Sequence, residues 1–461
     1  MTSKYAKDVL MQGLARIIGG FLSFLSVFVL TYLFDEAQIG KYNLLLSTIN
    51  VITSLFTLWL SQGILRYYKN KKDFGFVISS MLISSVGCIV TYFVFNLITV
   101  ETVSIHAYIY ILVLIYYNIF DAIFRTERKL ISYVILELLL SFSRLFPMII
   151  IALVTRNYNA IFISQYSLMF AYILIYLVKN RSLINVTFNI DKDLLTKYLK
   201  YGLPLLGLSI SNWFLTSSDR YIIRYFENDF SVGIYSTNYA LGNSIYMMIA
   251  LIIINAFHPI IVKTWDNDKE EGIKLLNKVL DYYLMVVVPV VFYGCVKSSI
   301  LLGMFKGDTY SKYNNIFIWT VLGIFIYGIS IIYHKYYELT HNTIRILLYN
   351  LMAAVLNIAL NFWLIPKYGF SVAAFTTFVS YVAYLLVVRV STFKVFDVKF
   401  PIENIAKITA IILIFWILDY LISLPNSIVL FFIEGFIFVI YITVAYRFLN
   451  IIDIFRIFRR K

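Results

Sequence analysis

Fourteen stretches of this chain are apolar for about 20 residues each, with barely enough polar sequence between them to turn. A helix that crosses a hydrocarbon core of about 30 Å needs about that length. The segments are Val9–Phe34, Tyr42–Leu65, Phe76–Thr99, Ser104–Phe124, Leu130–Val154, Ala160–Val178, Tyr201–Ile223, Val232–Val262, Val279–Met304, Ile316–Tyr337, Ile344–Ile365, Ser371–Val390, Ile405–Ile422 and Ser427–Leu449. The pattern predicts an all-α polytopic membrane protein of fourteen transmembrane helices. With 61% hydrophobic and only 14% charged residues, no sizeable soluble domain fits between them.

Lysine and arginine set the orientation, because cytoplasmic helix ends hold an excess of them. With both termini placed inside, the cytoplasmic segments hold 30 and the outer ones 8, and Arg144 alone falls near mid-membrane. The net charge of +14 is spread one cluster per loop, as in Lys69, Lys71 and Lys72, in Arg125, Arg128 and Lys129, and in Arg456, Arg459, Arg460 and Lys461. Topology and anionic lipid headgroups account for that distribution, and a nucleic-acid partner is not expected. The first apolar stretch is too long for a cleavable signal peptide and is expected to stay as a signal anchor. Cys88 and Cys295 both fall inside predicted spans and offer no metal-ligand spacing.

The chain repeats itself. Residues 32–42, YLFDEAQIGKY, align without a gap to residues 225–235, YFENDFSVGIY. In both, an apolar helix runs through an acidic loop into a glycine, one residue, and a tyrosine. One copy joins the first and second predicted helices and the other the seventh and eighth, so the repeat unit is six helices. Two such units starting on one side of the membrane are parallel repeats, and such halves usually enclose a central cavity. The expected organisation is an N-terminal lobe over 1–180, an inter-lobe linker over 181–200, a C-terminal lobe over 201–391, and two further helices with a basic tail over 392–461. Lys263–Lys278 reads as an internal cytoplasmic loop.

Ionisable groups inside spans are costly and therefore functional candidates. Glu137 and Arg144 lie seven residues apart on one face of the fifth segment. For Arg144 two readings stand, contact with an anionic substrate in a cavity, or a structural pair with Glu137 or with Asp121 of the fourth segment. Asp121 and Glu137 are also candidates for carrying protons in an ion-coupled transporter. The seventh segment carries Asn212 and Ser217, Ser218, Asp219 and Arg220; adjacent Asp and Arg diverge by about 100° on a helix, so one of them looks elsewhere. An ion-pair net at the outer rim and substrate contact by Arg220 stay equally open.

The eighth segment has Asn238, Asn243, Asn255 and His258 before Pro259. A packing role for His258 is preferred over a proton relay. Asn350, Asn357 and Asn361 form one stripe that reads as helix glue rather than a sugar site. Lys297 is expected to snorkel to water at an outer helix end, and Glu434 to pair within the last two helices. No phosphate-binding Gly-rich loop, HExxH motif or Cys/His cluster is present, so ATP hydrolysis, metal-assisted catalysis and a cofactor have no sequence support, and an enzyme is not expected.

Several stretches resemble the oligosaccharide flippase family, also called the polysaccharide transporter or Wzx-type family, of the superfamily that includes multidrug exporters and lipid II flippases. They are Ser218–Ile223 with Val232–Ser236, Asn357–Asn361 through Leu364–Gly369 and Val372–Ala374, and Phe305–Tyr310. Val372 stands where the family often has glycine. The resemblance implies export of undecaprenyl-diphosphate-linked sugar repeats from the inner to the outer leaflet of the bacterial cytoplasmic membrane, for O-antigen (lipopolysaccharide), capsule or exopolysaccharide. Two lobes would rock around a cationic cavity, with a lipid groove near the last two helices, sometimes beside a polysaccharide polymerase. Within that frame Arg144 is the candidate to hold the diphosphate, because guanidinium pairs with phosphate oxygens and stays charged. Arg16 and Arg220 are the candidate entry and exit contacts. A lipid II flippase, which would be expected to carry more cavity arginines, and a cation-coupled multidrug exporter, usually with a buried acid in the first helix, remain the alternatives.

Overall fold

The structure, a computed structural model, describes residues 2–68, 74–99, 104–179, 191–306, 308–422 and 428–448. Lys69, Lys71 and Lys72, the tail from Ile451, and the first half of the predicted linker lie outside them, as does the side chain of Arg16. Among the described residues the elements are all helical: α1 Thr2–Leu33, α2 Glu36–Tyr67, α3 Phe74–Thr99, α4 Ile105–Thr126, α5 Leu130–Ser143, α6 Phe146–Thr155, α7 Ile161–Lys179, α8 Lys192–Phe226 and α9 Asp229–Asn267. Then follow α10 Lys269–Val296, α11 Ser298–Gly303, α12 Asp308–Ser311, α13 Asn314–Leu339, α14 Thr343–Tyr368, α15 Val372–Thr392, α16 Ile402–Ile422 and α17 Ile428–Phe448. Twelve spans among the described residues are long and apolar enough to cross a membrane, α5 and α6 together making one of them. The chain is a multi-pass membrane protein. Two segments read as spans fall outside the twelve: α1, whose described apolar part is Ile18–Leu33, and α8, which is too polar along its length.

Two compact units divide the chain within α9, Met1–Thr237 and Asn238–Lys461. In the first, α2 is the central helix, packed by α8, α4 and α3 around Ile49, Leu60, Ile64, Ile111, Phe162 and Tyr198. In the second, α13 lies along α15 and against α10, and α14 covers α15. Helices α16 and α17 join α10 through Met285, Ile408, Ile412, Phe438 and Tyr446 and leave most of their apolar surface outward, where only lipid can receive it.

Local capping moves several predicted boundaries. The linker expected up to residue 200 is helical from Lys192, because the Asp191 side chain accepts from the amides of Asp193 at 2.9 Å and Leu194 at 3.1 Å. The loop expected over Lys263–Lys278 is two helix ends with Asp268 between them, its carboxylate taking the amides of Glu270 and Glu271 at 2.8 and 3.3 Å. The fifth segment breaks: Arg144 caps α5 and Leu145 begins α6. Pro147 in the first turn of α6 has no N–H for the Ser143 carbonyl and crowds it, which ends the ladder there. Arg144 and Glu137 are therefore not two positions on one unbroken helix face.

Candidate functional site

The repeated sequence builds a repeated structure in the first unit. Asp35 caps α2 by accepting from Gln38 N at 2.7 Å, and Asn228, its equivalent, takes Ser231 N at 3.0 Å at the start of α9. The two junctions then meet through their glycines. A Cβ on Gly40 would collide with the Asp229 carbonyl, and one on Gly233 with the Glu36 carbonyl. Glu36 and Asp229 are equivalent in the repeat, so the contact is reciprocal, as at a two-fold interface. Only glycine lets the two backbones come this close. Beneath it, Trp213 Nε1 donates to the Ser47 carbonyl at 3.1 Å and Tyr221 shares a hydrogen bond with Thr48 at 2.7 Å, fastening α8 to α2.

The tyrosine that closes each copy points at different chemistry. Tyr235 donates to the carboxylate of Asp219, which is fully buried. Tyr42 instead accepts from Gln165 Nε2 in α7, in the neighbourhood of Arg144. Arg220, beside Asp219, turns away from it, with Nε on Ser236 Oγ and Nη1 on the Thr216 carbonyl, both at 3.1 Å. Asp229 instead pairs with Arg224 at 3.1 Å and Lys41 at 3.9 Å.

Arg144 is half-buried and makes neither of the expected ion pairs. Asp121 pairs with Arg125 one turn on, at 2.6 Å, and Glu137 accepts from the Tyr117 hydroxyl at 2.6 Å. The groups acting on the guanidinium are the Tyr110 and Tyr42 hydroxyls. Tyr110 is fully buried beside the guanidinium, and Gln165, whose Nε2 is spent on Tyr42, leaves its Oε1 without a partner among the described residues. Unsatisfied buried polar atoms are rare enough to require a reason. Arg144 is thus a cation with tyrosine hydroxyls beside it and no ion-paired carboxylate among the described residues, which suits an anion.

Two clusters lie in the second unit. Lys297 does not snorkel: it bonds Asp419 Oδ2 of α16 at 2.9 Å and Glu434 Oε2 of α17 at 2.7 Å. Two carboxylates hold one ammonium more strongly than distant water does, so the last two helices are tied by charge to the end of α10, and Glu434 pairs beyond its own hairpin. At the opposite end of α13, His334, Lys335 and Glu338 form a network that the sequence reading passed over. His258 enters it as an acceptor, its Nδ1 lying 3.3 Å from Lys335 Nζ. The available signal was a His-Lys pair with Glu at the fourth position beyond His334, a spacing that puts all three on one helix end. Asn357 bonds Thr377 at 3.1 Å and Asn361 at 3.2 Å, and Thr376 donates to Asn361, so the amide stripe fastens α14 to α15.

This arrangement has the fold of the MOP-superfamily membrane transporters. It matches the structure of "Lipid II flippase MurJ, inward closed conformation" with a TM-score of 0.77 at 16% identity, over 96% of this chain and 100% of that one. It also matches an inward-facing multidrug resistance MATE family transporter, with a TM-score of 0.59 at 13% identity over 84% and 98%. The MATE multidrug transporter DinF-BH gives 0.60 at 15% over 85% and 96%. The profile of the polysaccharide biosynthesis protein family matches residues 67–315, more than half of the chain, and the chain belongs to that family. No curated protein matches it in sequence.

Proposed function

We propose that this protein is a flippase that carries undecaprenyl-diphosphate-linked oligosaccharide repeat units from the inner to the outer leaflet of the bacterial cytoplasmic membrane by alternating access, supplying surface polysaccharide synthesis such as O-antigen, capsule or exopolysaccharide. It is a transporter and not an enzyme. The observation that carries the reading is Arg144, a half-buried guanidinium without an ion-paired carboxylate among the described residues and with the Tyr110 and Tyr42 hydroxyls beside it. A diphosphate suits that setting, because guanidinium forms paired bonds to its oxygens and hydroxyls donate to it. Family membership and the fold shared with a lipid II flippase support the same substrate class.

In this reading α1 and α8 also cross, giving fourteen spans in two six-helix lobes, 1–180 and 201–391, joined through 181–200 and followed by 392–461, with both termini cytoplasmic. The glycine contact then lies at the outer face and is the element that parts when the site opens outward. Arg16 and Arg220 serve as the entry and exit contacts. The sugars and diphosphate pass through the polar interior while the isoprenoid tail stays in lipid. A membrane potential negative inside assists an anion moving outward by about 2.3 kcal/mol per charge per 100 mV.

Translocation of a labelled undecaprenyl-diphosphate oligosaccharide in proteoliposomes under an imposed potential tests this. Potential-dependent transport by the native chain, lost in Arg144→Ala and reduced in Arg144→Lys with insertion unchanged, is the expected result. Full activity of both variants, or no transport of any lipid-linked sugar, overturns it.

A further inference from the structure

The network at the C-terminal end of α13 runs unbroken across three helices. Tyr384 of α15 bonds His334 Nδ1 at 2.8 Å, and His334 Nε2 meets Glu338 Oε1 at 3.2 Å. The other carboxylate oxygen accepts from Lys335 at 2.6 Å, and Lys335 reaches His258 of α9 at 3.3 Å. His334 and Lys335 are enclosed, with relative exposures of 7% and 5%, whereas the Glu338 side chain is 32% exposed and His258 is exposed.

The two histidines sit in opposite electrostatic settings. The Lys335 ammonium has only donors, so His258 Nδ1 must accept, and a proton added there would face the ammonium. At His334 the carboxylate has only acceptors, which places a proton on Nε2. Nδ1 then either accepts from the Tyr384 hydroxyl or carries a second proton and donates to it. A hydroxyl serves in both directions, so His334 changes charge without losing a hydrogen bond.

We propose that His334 is a proton-binding site of the second unit, exchanging with the aqueous phase through the partly exposed Glu338 carboxylate. The bound proton sits on Nδ1 with Tyr384 reversed to accept it, and the imidazolium draws on the carboxylate that Lys335 otherwise shares with it. Occupancy thereby changes how firmly Lys335 holds α9 to α13. The remaining groups around it leave the exchange to these residues. Arg389 of α15 stacks on the Tyr333 ring at 5.1 Å, and Tyr337 is engaged by Ser391 at 2.8 Å and by the Arg345 guanidinium of α14 over its ring at 5.6 Å. Tyr327 packs its ring on Tyr384, and Tyr283 of α10 donates to the Phe325 carbonyl at 2.9 Å. That proton exchange acts on export rests on the transport reading; the site itself does not.

The test uses the full chain in nanodiscs with ring-labelled histidine, followed by NMR from pH 5 to 8. The chain has four histidines, and His334→Gln identifies the signal. The His334 resonance is expected to move with pH, reporting the proton gained on Nδ1. In Glu338→Gln its midpoint falls by about one pH unit, the usual size of a lost carboxylate neighbour. Tyr384→Phe, which removes the reversible hydroxyl, lowers it as well and serves if the first variant does not fold. A His334 signal in one charge state throughout, or a midpoint indifferent to both substitutions, overturns the proposal. No substrate is present, so this failure is distinct from a failure of transport.

Discussion

The junctions at 34–42 and 227–235 share their caps, their acidic residue and their glycine, and differ in what their tyrosines serve. Tyr235 is bound to a fully buried carboxylate; Tyr42 is bound to a neutral amide in the neighbourhood of an arginine. The framework that makes the two backbones meet is present in both copies, while the surroundings of the two tyrosines differ in charge. Asp219 is fixed in place by its hydrogen bond, whereas Arg144 pairs with no carboxylate among the described residues. One copy thus fixes a buried anion, and the other lies near a cation. Substitutions made in matched pairs break or sharpen that division.

The largest effect belongs to what the copies share. Gly40→Ala and Gly233→Ala each place a Cβ against a carbonyl of the opposite junction, and backbone cannot rotate away as a side chain can. Each is expected to destabilise by about 2 kcal/mol, the ordinary scale of overpacking. The double variant should cost clearly less than the sum, because separating the helices for one Cβ makes room for the other. Gly303→Ala, with no heavy atom within 4 Å of its Cβ, should stay within about 0.5 kcal/mol. Denaturant unfolding in detergent measures all four, and strict additivity would show that the two glycines do not share one contact.

The tyrosines come next. Tyr235→Phe strips a donor from a buried carboxylate and should cost about 2 kcal/mol, while Tyr42→Phe removes an acceptor from a neutral amide and should cost about 1 kcal/mol. Equal losses would mean that the charge beneath Tyr235 is compensated elsewhere, and the scaffold assignment of Asp219 would lose its support.

Much of this frame was legible in the sequence. Hydrophobic run length is a one-dimensional property, and so is the spacing of a repeat, which is why the helices and the equivalence of the two junctions could be read directly. That the glycines of the repeat would touch each other was not, since contact between elements 193 positions apart depends on packing. The same limit explains Lys297: its position near a helix end implied water, but Asp419 and Glu434 reach it from helices more than 100 residues on. His334, Lys335 and Glu338 were overlooked because they lie at the end of a span, where polar residues are expected and attract no attention. Pro147 was visible and should have divided the fifth segment.

A small expected change carries the most weight for Arg144. Removing a charge that pairs with a buried carboxylate typically costs about 3–5 kcal/mol, because the partner is left unpaired. Arg144 has no such partner among the described residues, so Arg144→Gln should shift the unfolding free energy by less than about 1 kcal/mol. Asp219→Ala in the opposite copy strands the Tyr235 hydroxyl in the interior and should cost more. A large loss at Arg144 would make it a scaffold residue like Asp219, and the two copies would then differ only in the sign of a structural charge. A small loss leaves the guanidinium half-buried at a desolvation cost that no carboxylate of the described residues offsets, as the proposed anion site requires.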